Sequence, residues 1–97
     1  MIKAGYVYIL ASAKYGTLYV GVTSDLVKRI WQHREGVVEG FTMTHDIKRL
    51  VYFEQVDTIE AAIAREKVLK KWRLQWKIDA IENANPEWRD LYDKIVL

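Results

Sequence analysis

Apolar and polar side chains alternate along two short stretches near the start of the chain, and a period of two marks strands in a sheet. In the first, Tyr6, Tyr8 and Leu10 share one face, with Val7, Ile9 and Ala11 on the other. In the second, Tyr19 and Gly21 lie opposite Leu18, Val20 and Val22. A turn around Lys14, Tyr15 and Gly16 folds them into a hairpin and brings Tyr8 almost opposite Tyr19 on one sheet face. Gly21 leaves room on that face, either for a ligand or backbone to come close or simply to relieve crowding. After Thr23-Ser24-Asp25 the period becomes helical, and Leu26, Arg29, Ile30 and His33 fall on one face while Lys28 and Gln32 point elsewhere. Arg29 and His33, four apart, sit one turn above the other, and Gly36 ends the helix. This β-β-α unit places Tyr8, Tyr19, Arg29 and His33 where they can share a cleft.

Residues Met1 to Ala4 read as a lead-in, and Gly36 to Asp46 as a loop carrying Gly40, Thr42, Thr44 and His45. Lys48 to Val56, nearly all apolar at its centre, predicts a third strand internal to the sheet. Asp57 or Thr58 caps a helix from Ile59 to about Trp72, whose aqueous face carries Glu60, Lys67 and Lys71. Glu66 falls instead among Ile59, Ala62, Ile63 and Leu69, with Lys70 as its polar companion. A carboxylate among core-facing residues is costly unless it is paired, hydrogen-bonded or bound to metal. Its two readings are a salt bridge to Arg29 or Lys70, and a functional role. A further helix runs from Trp72 to about Glu82, with Leu74, Trp76, Ile78 and Ile81 as apolar contacts and Lys77 in solvent. Asn85 then caps a final helix with Pro86 in its first turn and Trp88, Leu91, Tyr92 and Ile95 as its packing stripe. Trp72, Trp76 and Trp88 read as core or helix-packing residues rather than base-stacking platforms.

Ninety-seven residues, 51% of them hydrophobic, suit one domain (1–97) with a modest α/β core. No apolar run is long enough to cross a bilayer and no cleavable signal pattern stands at the terminus, so the expectation is a cytoplasmic protein with no membrane partner. The absence of cysteine removes disulfides, thiolate zinc sites and thiol catalysis. Net charge is only +2, but basic residues cluster at Lys28-Arg29, Lys48-Arg49, Lys67, Lys70-Lys71, Arg73 and Lys77. A nucleic-acid backbone suits such clusters, with Lys28, Lys48, Arg49, Lys70 and Lys71 as candidate contacts; an ordinary charged surface is the plainer reading.

The chain has no phosphate loop, no His-Glu-x-x-His, no four-ligand zinc spacing and no nucleophile elbow. What remains is Tyr8, Tyr19, Arg29, His33 and Glu66. A guanidinium beside phenols suits a phosphate, and one carboxylate can anchor Mg²⁺ with water and substrate phosphate completing its shell. The set fits phosphodiester hydrolysis better than acyl or hydride transfer.

With Tyr6-Val7-Tyr8, Tyr19-Val20-Gly21, Arg29 eight residues beyond Gly21, and Glu66 within AIAREKVLKKW, the sequence closely resembles the GIY-YIG endonuclease superfamily, in particular its small single-domain bacterial branch. The likeness runs from Gly5 through about Ile81, with a helical extension beyond. It implies an α/β (α+β) fold with a three-stranded antiparallel sheet flanked by helices, and one divalent metal, Mg²⁺ or Mn²⁺, at a concave face. In that scheme Glu66 holds the metal, Arg29 neutralises phosphoryl or leaving-group charge, Tyr19 is general base with Tyr8 positioning it, and His33 is an alternative base. An unperturbed imidazole suits neutral pH better than a phenol. Two positions depart from the pattern. Tyr6 stands where the name-giving glycine would be, and Val22 stands where the nucleotide-excision-repair incision subunit, whose endonuclease domain this branch resembles, has lysine. The implied activity is metal-dependent cleavage of DNA in repair or turnover, with RNA the other candidate substrate and a repair protein as a candidate partner. The alternative is a nucleic-acid-binding or repair-accessory protein with little cleavage of its own.

Overall fold

The computed structural model describes residues 4–37 and 40–97. All but Ala4 of the predicted lead-in, and residues 38 and 39 of the predicted loop, lie outside the described residues. Strands β1 (Gly5–Ala11), β2 (Leu18–Thr23) and β3 (Arg49–Val56) form one antiparallel sheet in the order β2-β1-β3. The first strand is therefore the central one, buried without a break from Val7 to Ala11. The third is an edge strand, not an internal one. Its apolar centre has another cause: helices and C-terminal chain cover both its faces, and an irregularity opposite Ile9 and Leu10 pairs Tyr52 with Ile9 but Leu50 with Leu10. Val51, the extra residue, turns into the core on the Ile9 side.

The hairpin register pairs Tyr8 with Gly21 and Leu10 with Tyr19. Tyr8 and Tyr19 thus share a face as diagonal neighbours rather than direct partners. Two apolar clusters sandwich the sheet. On the face of Val7, Ile9 and Ala11 pack α3 (Ile59–Lys71) and α4 (Leu74–Ala84), through Ala62, Leu69 and Ile81. On the face of Tyr8 and Leu10 pack Leu26 and Ile30 of α1 (Leu26–Arg34), with Ile47 and, near the C-terminus, Ile95 of α5 (Tyr92–Ile95). Asp25 caps α1 by accepting from the Lys28 backbone N–H at 3.2 Å. At the other end Gly36, at φ 71°, lets its own N–H reach the His33 carbonyl and that of Val37 the Gln32 carbonyl. Thr58, one of the two caps expected, opens α3 by accepting from Ala61 N–H.

Three expectations for the second half need correction. The predicted loop contains a one-turn helix, α2 (Phe41–Thr44), which buries Thr42. Trp72 and Arg73 are extended and separate α3 from α4 where the boundary is expected, but Trp76 and Leu74 are 52% and 61% exposed rather than packed, while Lys77, expected in solvent, is half-buried. Asn85 does not cap a long helix. It is buried, its amide donates to the carbonyls of Val51 and Arg89, and its oxygen accepts from Arg89 N–H. That arrangement ties the C-terminal segment to β3 and leaves only one helical turn, α5. Trp88 is fully buried at φ 56°, its indole N–H donating to Glu82. Among the described residues no helix is long and apolar enough to cross a membrane.

Candidate active site

The site is organised around the phenol of Tyr8, in the middle of the central strand and 1% exposed. Its cross-strand partner has no side chain, and the reason is steric. A Cβ on Gly21 would stand 2.3 Å from Cζ of the Tyr8 ring and 2.4 Å from its hydroxyl oxygen. The space that Gly21 leaves is filled by the ring, not held open for a ligand. Beneath α1 the Tyr8 hydroxyl meets His33 Nε2 at 3.0 Å, and His33 Nδ1 lies 3.2 Å from the Thr42 hydroxyl on α2. A neutral imidazole donates from one nitrogen and accepts at the other, so this three-residue chain runs in a single direction set by the tautomer. Thr42 is legible in the sequence only as a loop residue; nothing in the spacing pairs it with His33.

Tyr19 is half-buried on the same face, its ring 6.5 Å from that of Tyr8 and 5.8 Å from that of His33, centroid to centroid. Arg29, also half-buried, sits where the core stripe of α1 meets solvent, and its guanidinium donates to Gln32 at 3.4 Å. It lines an open depression of about 380 Å³ with Val22, Ser24, Lys28 and Gln32. Lys28 and Gln32, expected to point elsewhere, therefore border the same cleft as Arg29.

The electrostatics keep the centre neutral. Burial raises the pKa of the Tyr8 phenol; the Arg29 guanidinium beside it pulls the other way, and the charges of Tyr19 and Glu66 add to the rise. Burial, with the positive charge of Arg29, lowers His33 to about 4. His33 is thus neutral at physiological pH and a much weaker proton acceptor than a free imidazole. It serves better as a hydrogen-bonded brace for Tyr8 than as the alternative base that an unperturbed side chain would make.

Glu66 rides on α3, whose Ala62 and Leu69 pack on the sheet face opposite that of α1. Its carboxylate is 14% exposed and pairs with Lys70 Nζ at 3.4 Å, so Lys70 rather than Arg29 is its ion-pair partner. Its flank is less apolar than expected, since Ile63 is 40% exposed while Ala62 and Leu69 are buried. Its charge nevertheless registers at the Tyr8 phenol. Among the described residues no three Asp, Glu or His side chains gather into a metal cage. One nearly buried carboxylate fits a cation that keeps most of its water and takes substrate oxygen, as Mg²⁺ does and Mn²⁺ can, and does not fit zinc.

The other basic candidates divide. Lys48 pairs with Asp46 at 3.3 Å, and Arg49 donates to the Trp88 carbonyl, a structural use of its charge. Lys71 is exposed. His45 is exposed beside Phe41, to whose carbonyl its Nδ1 lies at 3.0 Å.

A hairpin carrying two tyrosines, a helix presenting arginine to a polar cleft, and a nearly buried glutamate on the long helix define a class of small α/β domain. The chain belongs to the GIY-YIG family: the family model described as the GIY-YIG catalytic domain matches residues 4–79. Among curated relatives it is 37% identical over 76 residues to a UPF0213 protein of Staphylococcus saprophyticus, covering 78% of this chain and 92% of that one. A UPF0213 protein of Streptococcus pyogenes serotype M5 is 39% identical over 69 residues, covering 71% and 74%. The solution NMR structure of a UPF0213 protein from Bacillus halodurans superposes with a TM-score of 0.55 at 28% identity, over 90% of this chain and 92% of that one.

Proposed function

We propose that the protein is a divalent-metal-dependent nuclease that hydrolyses phosphodiester bonds in DNA. The observation that carries this reading is the cluster of Tyr8, Tyr19 and His33 on one sheet face, with the Arg29 guanidinium beside the Tyr8 phenol. A substrate phosphate enters the cleft beside Arg29 and Lys28. The guanidinium fork takes two of its oxygens, and Lys28 adds a point charge. Tyr8 is too buried to touch substrate. It holds the aromatic cluster in register while its hydroxyl is fixed by His33, itself fixed by Thr42. Tyr19, the more accessible phenol, takes the proton of the attacking water when ionised. The water oxygen bonds to phosphorus as the bond to the departing sugar oxygen breaks, and that oxygen is protonated from solvent. Mg²⁺ or Mn²⁺ bound at Glu66 would supply further positive charge to the phosphate and Lewis acidity.

One observation favours the second reading, an accessory protein that binds nucleic acid without cutting it. Glu66 already has a cation, Lys70, within 3.4 Å, and a metal must displace or share it. The test is single-turnover incubation of the purified protein with end-labelled single-stranded, duplex and branched DNA, in Mg²⁺, in Mn²⁺ and in chelator. Cleavage of at least one substrate in metal and none in chelator is expected. Binding without cleavage across the panel would move the assignment to the accessory reading.

A further inference from the structure

Between Lys67 and Lys77 the chain holds five basic residues and no acidic one, while the rest of it carries ten basic and thirteen acidic residues. The protein's excess positive charge is therefore concentrated at the corner where α3 ends and α4 begins. Lys67, Lys71 and Arg73 are exposed there, and α4 has no acidic residue in its first turn to offset them. Trp76, on the first turn of α4, is 52% exposed, with the Arg73 guanidinium carbon 5.6 Å from its ring centroid. Leaving so large an apolar ring half in water forgoes burial that Trp72, on the same corner, takes by packing on the core.

We propose that this corner is a second nucleic-acid contact, and that it binds an unpaired strand of DNA: cations hold the phosphates and one base stacks on Trp76. The charge says that the occupant is polyanionic. The exposed indole says that the strand is single, because a base in a duplex has both faces covered by its neighbours, whereas an unpaired base offers one to an aromatic ring. The cations of the corner track the backbone and carry no sequence information. The surface is built of residues other than those bordering the Arg29 cleft. A protein with both surfaces would favour DNA with a single-stranded arm beside the bond to be cut. The inference rests on the nucleic-acid partner of the proposed function, not on its chemistry.

The experiment is fluorescence anisotropy with the full chain in chelator, using fluorescein-labelled oligothymidine, a duplex of equal length and oligouridine. Trp76→Ala should weaken oligothymidine binding by about 5- to 150-fold, the range for one stacked base. It should leave duplex binding nearly unchanged, and Trp76→Phe should retain most of the strand affinity. Lys67→Gln with Lys71→Gln should lower the slope of log affinity against log salt, by roughly 0.7 for each phosphate no longer neutralised. Unchanged oligothymidine affinity in Trp76→Ala, or equal losses on strand and duplex, would overturn the proposal. So would a dimer that depends on Trp76, and tighter Trp76-dependent binding of oligouridine would overturn the choice of DNA. An inert protein that grips the strand through Trp76 would defeat the nuclease reading and leave this one standing; an active nuclease indifferent to Trp76 would do the reverse.

Discussion

Gly21 and His33 both constrain the Tyr8 phenol. Any side chain at position 21 would enter the Tyr8 ring, and the ring cannot swing away because it is buried and held at its hydroxyl. Gly21→Ala should therefore cost about 1–3 kcal/mol, as overpacking does, and lower cleavage at least tenfold by displacing the phenol; denaturant melts and single-turnover rates read the two effects. Wild-type stability with a wild-type rate would mean that the cluster tolerates movement. His33 makes a prediction in pH. Its folded pKa of about 4 lies below the ordinary value of 6.5, so between those limits the unfolded chain binds the extra proton. Its contribution to stability is complete above pH 6.5 and is lost as pH falls toward 4, by on the order of 3 kcal/mol in all. Urea melts at intervals across that window should show the loss in wild type and a flatter profile in His33→Gln. Parallel profiles would mean that His33 is protonated at little cost in the folded protein.

At the scale of elements, the least regular part of the chain is held by the most specific contact. Asn85 satisfies the carbonyls of Val51 and Arg89 and the Arg89 N–H, all from a buried position. Asn85→Ala strands those groups and should cost about 2–4 kcal/mol, with early exchange of amide protons from Arg89 to Ile95. If those amides stay as protected as in wild type, the staple is not what holds the segment. The same residue shows where sequence pattern stops being informative. The β-β-α unit is legible because strand alternation, a capping aspartate and a terminating glycine are local signals. Asn85 carries the local signature of a cap before proline, and only the carbonyl of Val51, thirty-four residues away, makes it something else. The edge position of β3 is hidden for a related reason: an apolar strand reads alike whether neighbouring strands or helices cover it. Trp76 reads as a packing residue because it stands with Leu74, Ile78 and Ile81 as the apolar residues of one helix, whereas in the fold only Ile81 of that set is buried and Leu74 and Trp76 are exposed.

For the whole molecule, the division into two faces sets the terms of the mechanism. α1, which bears Arg29 and His33, packs on the tyrosine face, while α3, which bears Glu66, packs on the other. The cluster of phenols and imidazole is foreseeable from strand parity and the helix wheel. The role of Glu66 is not, because an acidic residue on a core-facing stripe looks the same whether it serves Lys70 or a metal. Glu66→Gln separates these roles, since it keeps the shape and removes the charge that a hard cation needs. The direct test is single-turnover cleavage by folded Glu66→Gln and wild type on one labelled DNA substrate, with affinity measured in chelator alongside. A metal role for Glu66 predicts that the metal-dependent rate falls by two or more orders of magnitude, roughly the loss of several kcal/mol of transition-state stabilisation, while affinity without metal persists or rises slightly. Equal metal-dependent rates in the two proteins would contradict it.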